Sequence, residues 1–419
     1  MPLPAGLSAL THRDFRVFLT GQIVSQVGTW MQRVGQAWLV LELTNSAFKL
    51  GIISALQFAP VLFISVPAGA VVDRVAKRRL LIATQSVLML QAFALTYLVW
   101  SHRVRYWHVA VLATVYGIAN AFDIPTRQAF VANMVAKRDL MNAIALNSAM
   151  FNAARLVGPA VAGLLIARYG LAQAFLLNAV SFVAVILALS AVRSEGEPHP
   201  SPGTTMLEKI QGGLGYAVTT PVIGFTLALL LTVGFFVINF NVLVPLITKH
   251  VLHAGPSTFG WLMASLGSGA IVGALSLAVV IQGRPPIALP VAAGLLVSSG
   301  TVVLATVGGV GATATLLVLV GFAQIVFQAS CNSMLQVTVP DALRGRIMSL
   351  YALVFAGVTP FGSLVIGTIA ERFGTPAACA FGGAGGVLSV AVLTGFWRRQ
   401  GRGLEWSARR RDRTTMGEI

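Results

Sequence analysis

Five polar side chains near the start of the sequence fall where one face of a helix would carry them. Gln22, Gln26, Thr29, Arg33 and Gln36 follow one another at intervals of four, three, four and three residues, inside an otherwise apolar stretch. On an α-helix that spacing makes a single stripe. Turned to lipid it would cost several kcal/mol, so it is expected to line a hydrated cavity. Arg33 is the boldest member. Three uses are open to it: binding an anionic group of a substrate, pairing with an acid, or snorkelling to outer headgroups.

A second stripe lies late in the chain, where Gln324, Gln328 and Asn332 repeat every four residues. It suits either cavity lining or hydrogen bonding between helices. Asn239 and Asn241 are further embedded polar residues. Embedded acids are few. Asp123, in "NAFDIPTRQ", precedes Arg127 by four residues, so a continuous helix would put both on one face, although Pro125 between them is expected to disturb the geometry. Glu42 closes the first apolar stretch. A carboxylate in a partly dry cavity holds a proton more readily than one in water, which makes Asp123 and Glu42 the candidates for moving one. For Asp123 the alternative is a static pair with an arginine.

Enzyme chemistry finds little footing. The six histidines are scattered, and only His250 and His253 are close, with no acid beside them. Cys331 and Cys379 have neither metal-ligand spacing nor a disulfide framework and read as small packing residues. No Gly-x-x-x-x-Gly-Lys-Ser/Thr loop is present for ATP hydrolysis. No metal or cofactor is expected, and any work must draw on an external gradient.

The elements that position these residues follow from composition. Of 419 residues, 56% are hydrophobic and 10% charged, against about 25% charged in soluble domains. Most of the outer surface must therefore face lipid. The formal net charge of +16 comes from short basic runs between apolar stretches. Such runs suit anionic lipid headgroups and exclude a nucleic-acid partner. A bilayer core of ~30 Å takes about 20 apolar helical residues, which gives spans at 16–43, 49–72, 80–100, 107–132, 141–167 and 171–192. Six more follow at 223–249, 257–281, 287–307, 312–336, 346–370 and 375–397.

The organisation is thus an N-terminal six-helix bundle over 1–192, a linker over 193–222, a C-terminal bundle over 223–397 and a basic tail over 398–419. The Pro, Gly and Ser content of "SEGEPHPSPG" marks the linker as a loop. The first apolar stretch, Phe15 to Leu43, is too long for the apolar part of a cleavable leader and is expected to be retained. Lys and Arg divide about 20 to about 6 between the two sides, which puts both termini in the cytoplasm. A repeat supports the division: 140–170 aligns without gaps on 344–374, placing Gly158 on Gly362, Gly163 on Gly367, Arg168 on Arg372 and Gly170 on Gly374.

Two short motifs and three longer segments carry a family resemblance. "GAVVDRVAKRR", Gly69 to Arg79, resembles the signature loop of the major facilitator superfamily. The resemblance implies a latch: Gly69 for close helix approach, and Asp73 capping a neighbouring helix N-terminus and pairing with a nearby arginine, Arg74 or Arg78. It would hold one state of an alternating-access cycle and break in the other. The corresponding turn of the second half, near Gln282 to Pro286, lacks the acid. "ARLVGPAVAG", which contains Arg155, Gly158, Pro159 and Gly163, resembles in part the Gly-Pro motif of antiporter branches. It reads as a hinge kinked by Pro159 or as structural packing.

"GTWMQRVGQAWLVLELTNS", "DIPTRQAFVANMV" and "NAARLVGPAVAGLLIA" are similar to the enterobactin-exporter branch of the superfamily, which also resembles macrolide-efflux proteins. The resemblance covers nearly the whole chain. It implies twelve helices in two pseudo-symmetric bundles, a central cavity, and efflux of a siderophore or drug-like molecule driven by inward proton flow, by a monomer in the cell membrane. The arginine that many drug antiporters carry high in span four is missing from "VYGIANAF", which puts a copy of their proton relay in doubt. An importer or lipid flippase of the same fold is the alternative; an integral-membrane enzyme fits poorly.

Overall fold

The computed structural model describes residues 5–198, 206–280 and 285–400. After a short 3-10 turn come α1 (Arg13–Thr44), α2 (Ala47–Arg74), α3 (Lys77–Trp100), α4 (Tyr106–Met134), α5 (Leu140–Tyr169) and α6 (Leu171–Ala191). A short helix α7 (Met206–Thr219) precedes α8 (Pro221–Phe236) and α9 (Phe240–Leu246), which together make the seventh span. The remainder is α10 (Pro256–Val280), α11 (Ala288–Val303), α12 (Val310–Thr338), α13 (Asp341–Phe373) and α14 (Thr375–Arg399). Among the described residues ten segments are long and apolar enough to cross a membrane unaided. α1, interrupted by its polar stripe, and α11, with 16 residues, complete twelve.

Two expectations change here. The seventh span is broken at 237–239 instead of continuous. Asn239 gives its side-chain amide to the Phe235 carbonyl at 2.7 Å, and the bare faces of Gly362 and Gly382 let the Phe235 and Phe236 carbonyls approach. The backbone there is held by side chains and neighbours in place of the regular ladder, as non-helical backbone at membrane depth requires. The linker, expected as a loop, contains α7; its residues 199–205 and the tail beyond 400 lie outside the described residues, as do 281–284 of the second-half turn. Pro125 and Pro159 leave α4 and α5 unbroken.

The repeat is visible in the backbone. Gly170 ends α5 at φ 89° and Gly374 ends α13 at φ 88°, a left-handed conformation that suits glycine and turns each helix directly into its successor. Gly158 packs on α1 at Trp30, and Gly362 packs on the seventh span at Phe235 and Asn239. The same rule joins the halves. A Cβ on Gly163 of α5 would lie 2.8 Å from the Gly260 Cα of α10, and one on Gly367 of α13 would lie 3.2 Å from the Gly51 Cα of α2. Two glycine-on-glycine seams therefore bring the bundles into backbone contact, the close packing by which membrane helices associate. Within the first half, Gly21, Gly28 and Gly35 of α1, seven residues apart, all rest on α6.

Candidate functional site

With twelve crossings, α1 begins and α14 ends on one face of the bundle, called here the near face; the other is the far face. Arg33 lies two-thirds of the way along α1 toward the far face. Its guanidinium donates from Nε and a terminal nitrogen to the Tyr116 hydroxyl, at 3.3 and 3.1 Å, and lies 4.6 Å from the centre of the Trp30 ring. It points into the protein, not toward headgroups. It lines a small, partly open cleft with Ser54 and Gln57 of α2, Asn241 of α9, and Phe259 and Met263 of α10. Both halves thus contribute to one cavity.

The rest of the α1 stripe behaves differently from its expectation. Thr29 is half-buried like Arg33, but Gln22, Gln26 and Gln36 are only 1%, 7% and 1% exposed. Gln22 accepts from Gln26 at 3.5 Å and from Arg127 at 3.4 Å, while the Gln36 amide nitrogen has no partner. The stripe is one face, but neighbouring helices cover most of it. Beside it runs a buried amide chain outside that stripe. Gln32 donates to Gln91 of α3 at 2.9 Å and accepts from Asn178 of α6 at 2.6 Å.

Arg155, read from the sequence as part of a hinge, reaches from α5 toward α1 and α12. Its guanidinium lies 5.9 Å from the same Trp30 ring and donates to Gln324 of α12 across the halves at 3.3 Å. Neither Arg33 nor Arg155 forms an ion pair among the described residues. Gln324 is buried, and Gln328 and Asn332 are half-buried. Asn332 accepts from exposed Gln336, which continues the ladder by one more turn toward the near face. In α5, Gly158 and Gly163 are packing contacts on α1 and α10, and the Pro159 carbonyl faces Gly260.

The two acids separate. Asp123 is fully buried and accepts from Thr84 at 3.0 Å, Gln85 at 2.7 Å and Arg127 at 2.5 Å. Helices α3 and α4 are tied at this carboxylate, and Arg127 carries the tie to α1 through Gln22. The pair forms because α4 stays helical through Pro125. Glu42 is exposed at the far end of α1 and accepts from the Trp38 indole at 2.7 Å, so it is not the cavity acid that was expected.

An acid the sequence reading passed over joins the halves. Glu371, at the far end of α13, accepts from the Ser46 hydroxyl at 3.1 Å and from the Ala47 and Phe48 amides at 2.7 and 3.3 Å. It therefore caps the N-terminus of α2, where free N–H groups and the helix dipole favour a carboxylate. Lys249 donates to the Leu41 carbonyl at 2.6 Å, and Ser54 meets Ser363 at 3.0 Å. These hydrogen bonds, with that of Arg155 to Gln324, join the halves at mid-membrane and toward the far face. The available signal was a break in the repeat, since Glu371 aligns with Ala167.

In this conformation the latch expected of the near-face loop is not made among the described residues. A Cβ on Gly69 would meet nothing within 4 Å, so no helix approaches there. Asp73 is half-buried and forms no ion pair among the described residues. Arg74 is exposed, and Arg78 donates instead to the Leu189 and Ser190 carbonyls ending α6, each at 2.8 Å. Arg78 satisfies a helix C-terminus within its own half.

The chain is similar to known proteins over most of its length. Residues 4–411 match the family described as transmembrane secretion effector. The "Multidrug efflux pump Tap" of Mycolicibacterium fortuitum is 28% identical, over 85% of this chain and 89% of that protein. The "Staphyloferrin A transporter" of Staphylococcus aureus is 27% identical, over 86% and 90%. The "Macrolide efflux protein A" of Streptococcus pyogenes is 22% identical, over the same shares. Among solved structures, a mutant of the peptide transporter POT superposes with a TM-score of 0.76 at 14% identity, covering 94% of this chain and 96% of that one. A mutant of the nucleoside transporter NupG does so at 0.73 and 11%, covering 93% and 100%. Those two carry the fold alone; the family match spans almost the whole sequence, and the chain belongs to the transmembrane secretion effector family, a small-molecule efflux branch of the major facilitator superfamily.

Proposed function

We propose that this protein exports a small organic molecule, siderophore-like or drug-like, by alternating access in exchange for protons. The observation that carries the reading is the cleft between the halves, lined by Arg33 and closed beyond it by the far seam. The named activities of the relatives, efflux of drugs and macrolides and transport of staphyloferrin A, support export of a small molecule. The excess of Lys and Arg on the near side supports a cytoplasmic near face in the cell's inner or plasma membrane. On that orientation the conformation is inward-facing. The protein acts as a monomer among membrane lipids and catalyses no chemical reaction.

In this cycle Asp73, which forms no ion pair among the described residues in this conformation, engages α13 or a nearby arginine when the near face closes. Asp123 is the proton carrier we assign. Protonation removes its charge and frees Arg127, which loosens the tie among α1, α3 and α4. The test is flux in inverted vesicles with an imposed pH gradient, using a catecholate siderophore, a macrolide and a dye. Proton-dependent accumulation of at least one is expected. A folded preparation that moves none of them in response to the gradient would sink the proposal.

A further inference from the structure

We infer that Arg33 and Arg155, both beside Trp30, form one binding site for the acid group of an amphiphilic organic anion. The inference rests on the export reading and names the substrate class for the same cavity.

The charge balance is the starting point. Three arginines lie deep in the first bundle, and Arg127 has its carboxylate in Asp123. Among the described residues Arg33 and Arg155 have only neutral acceptors, the Tyr116 hydroxyl and the Gln324 amide oxygen. Both guanidiniums sit near the ring of one buried tryptophan, at 4.6 and 5.9 Å, so they are no farther apart than those two distances together. Two like charges kept this close, half-buried and without an acid, are costly at membrane depth. An anionic ligand removes that cost.

The donors fit the same ligand. A guanidinium has five N–H donors in a planar fork. Arg33 spends two on Tyr116 and Arg155 one on Gln324, which leaves most of both forks for an oxyanion. Carboxylates and related oxyanions are the groups such forks bind bidentately. Beside Arg33, Ser54, Gln57 and Asn241, the cleft has Leu50, Ile53, Phe259 and Met263 as apolar wall. An acid head with an apolar or aromatic body matches both parts. The two arginines also belong to different pillars: Arg33 is on α1, bonded to α4, and Arg155 is on α5, bonded to α12 of the other half. Ligand held by both is therefore coupled to the position of the second bundle.

The experiment uses the purified full chain in detergent micelles and two dyes of the same ring system and opposite charge, carboxyfluorescein and rhodamine 6G. Binding is read by fluorescence anisotropy. The anionic dye is expected to bind about tenfold more tightly than the cationic one. Arg33→Gln and Arg155→Gln are each expected to weaken the anionic dye by about tenfold and to leave the cationic dye unchanged or tighter. Equal or tighter binding of rhodamine 6G to the unmodified protein overturns the site, as does wild-type anion affinity in both variants. Failure of both dyes to bind overturns it as well. Should the variants not fold, the comparison of dyes on the unmodified chain still decides. Displacement of carboxyfluorescein by phosphatidylglycerol micelles, with no displacement by benzoate or citrate, would assign the site to a lipid headgroup and refute a free organic acid. Vesicle flux separates this inference from the export reading. Selective anion binding without vectorial movement leaves the site and removes export. Export of rhodamine 6G by a protein that neither binds nor exports carboxyfluorescein leaves export and removes the site.

Discussion

The Glu371 carboxylate accepts the Ala47 amide at 2.7 Å, so the end of α13 in one half caps the start of α2 in the other. The latch suggested by the signature loop concerns the near end of α2, in the loop to α3. Closing one end of this helix pair by a carboxylate and releasing the other is a physical form of alternating access.

Glu371→Gln keeps the shape and removes the charge that favours the helix N-terminus. The far seam should weaken by about 1 kcal/mol, a shift of roughly fivefold toward far-open molecules. Labelling of a cysteine placed at Ser54 or Ser363 with a membrane-impermeant reagent from the far side measures it. Unchanged labelling would mean that the cap does not hold the seam.

Asp123→Ala leaves Arg127 buried without its acid, and loss of one partner of such a pair costs about 3–5 kcal/mol. A lowered melting temperature in detergent is the check. Asp123→Asn retains part of the hydrogen bonding to Thr84 and Gln85 and separates structure from coupling. It should still bind ligand but lose dependence of flux on the pH gradient. Intact coupled flux would remove Asp123 from the proton path.

Glycines 69 and 163 should respond differently to the same change. An alanine at Gly163 meets the Gly260 Cα at 2.8 Å and the Pro256 carbonyl at 3.0 Å, whereas one at Gly69 meets open space. Gly163→Ala is expected to destabilise the protein by about 1–3 kcal/mol through overpacking. Gly69→Ala should leave the melting temperature unchanged and slow turnover, because Gly69 is needed only when the near face closes. A melting temperature equally lowered in both would contradict this assignment.

Arg78→Ala and Asp73→Asn make a similar contrast. Removing the Arg78 guanidinium exposes the carbonyls that end α6 and should cost about 1 kcal/mol of stability. Asp73→Asn should cost none in this conformation and reduce transport rate. Thermal melts beside flux measurements distinguish the two.

Much of this protein is written locally. The spans follow from runs of apolar residues, and observed helix ends lie within five residues of the expected ones for most of them. The Asp123–Arg127 pair was legible too, because four residues on a helix are a fixed geometry. Gly170 and Gly374 were marked by the repeat.

Tertiary structure decided which polar residues reach the cavity. The α1 stripe was correctly one face, but rotation and packing against α4 and other neighbours buried Gln22, Gln26 and Gln36 and left Arg33 facing the cleft. Spacing within a helix cannot tell which neighbour covers it. The break at 237–239 depends on carbonyls meeting bare glycines of α13 and α14. The cap between Glu371 and Ser46 joins residues 325 apart, and the shared tryptophan of Arg33 and Arg155 joins α1 to α5. Hydropathy sets how far a helix is buried in the membrane; only packing sets what each buried charge meets.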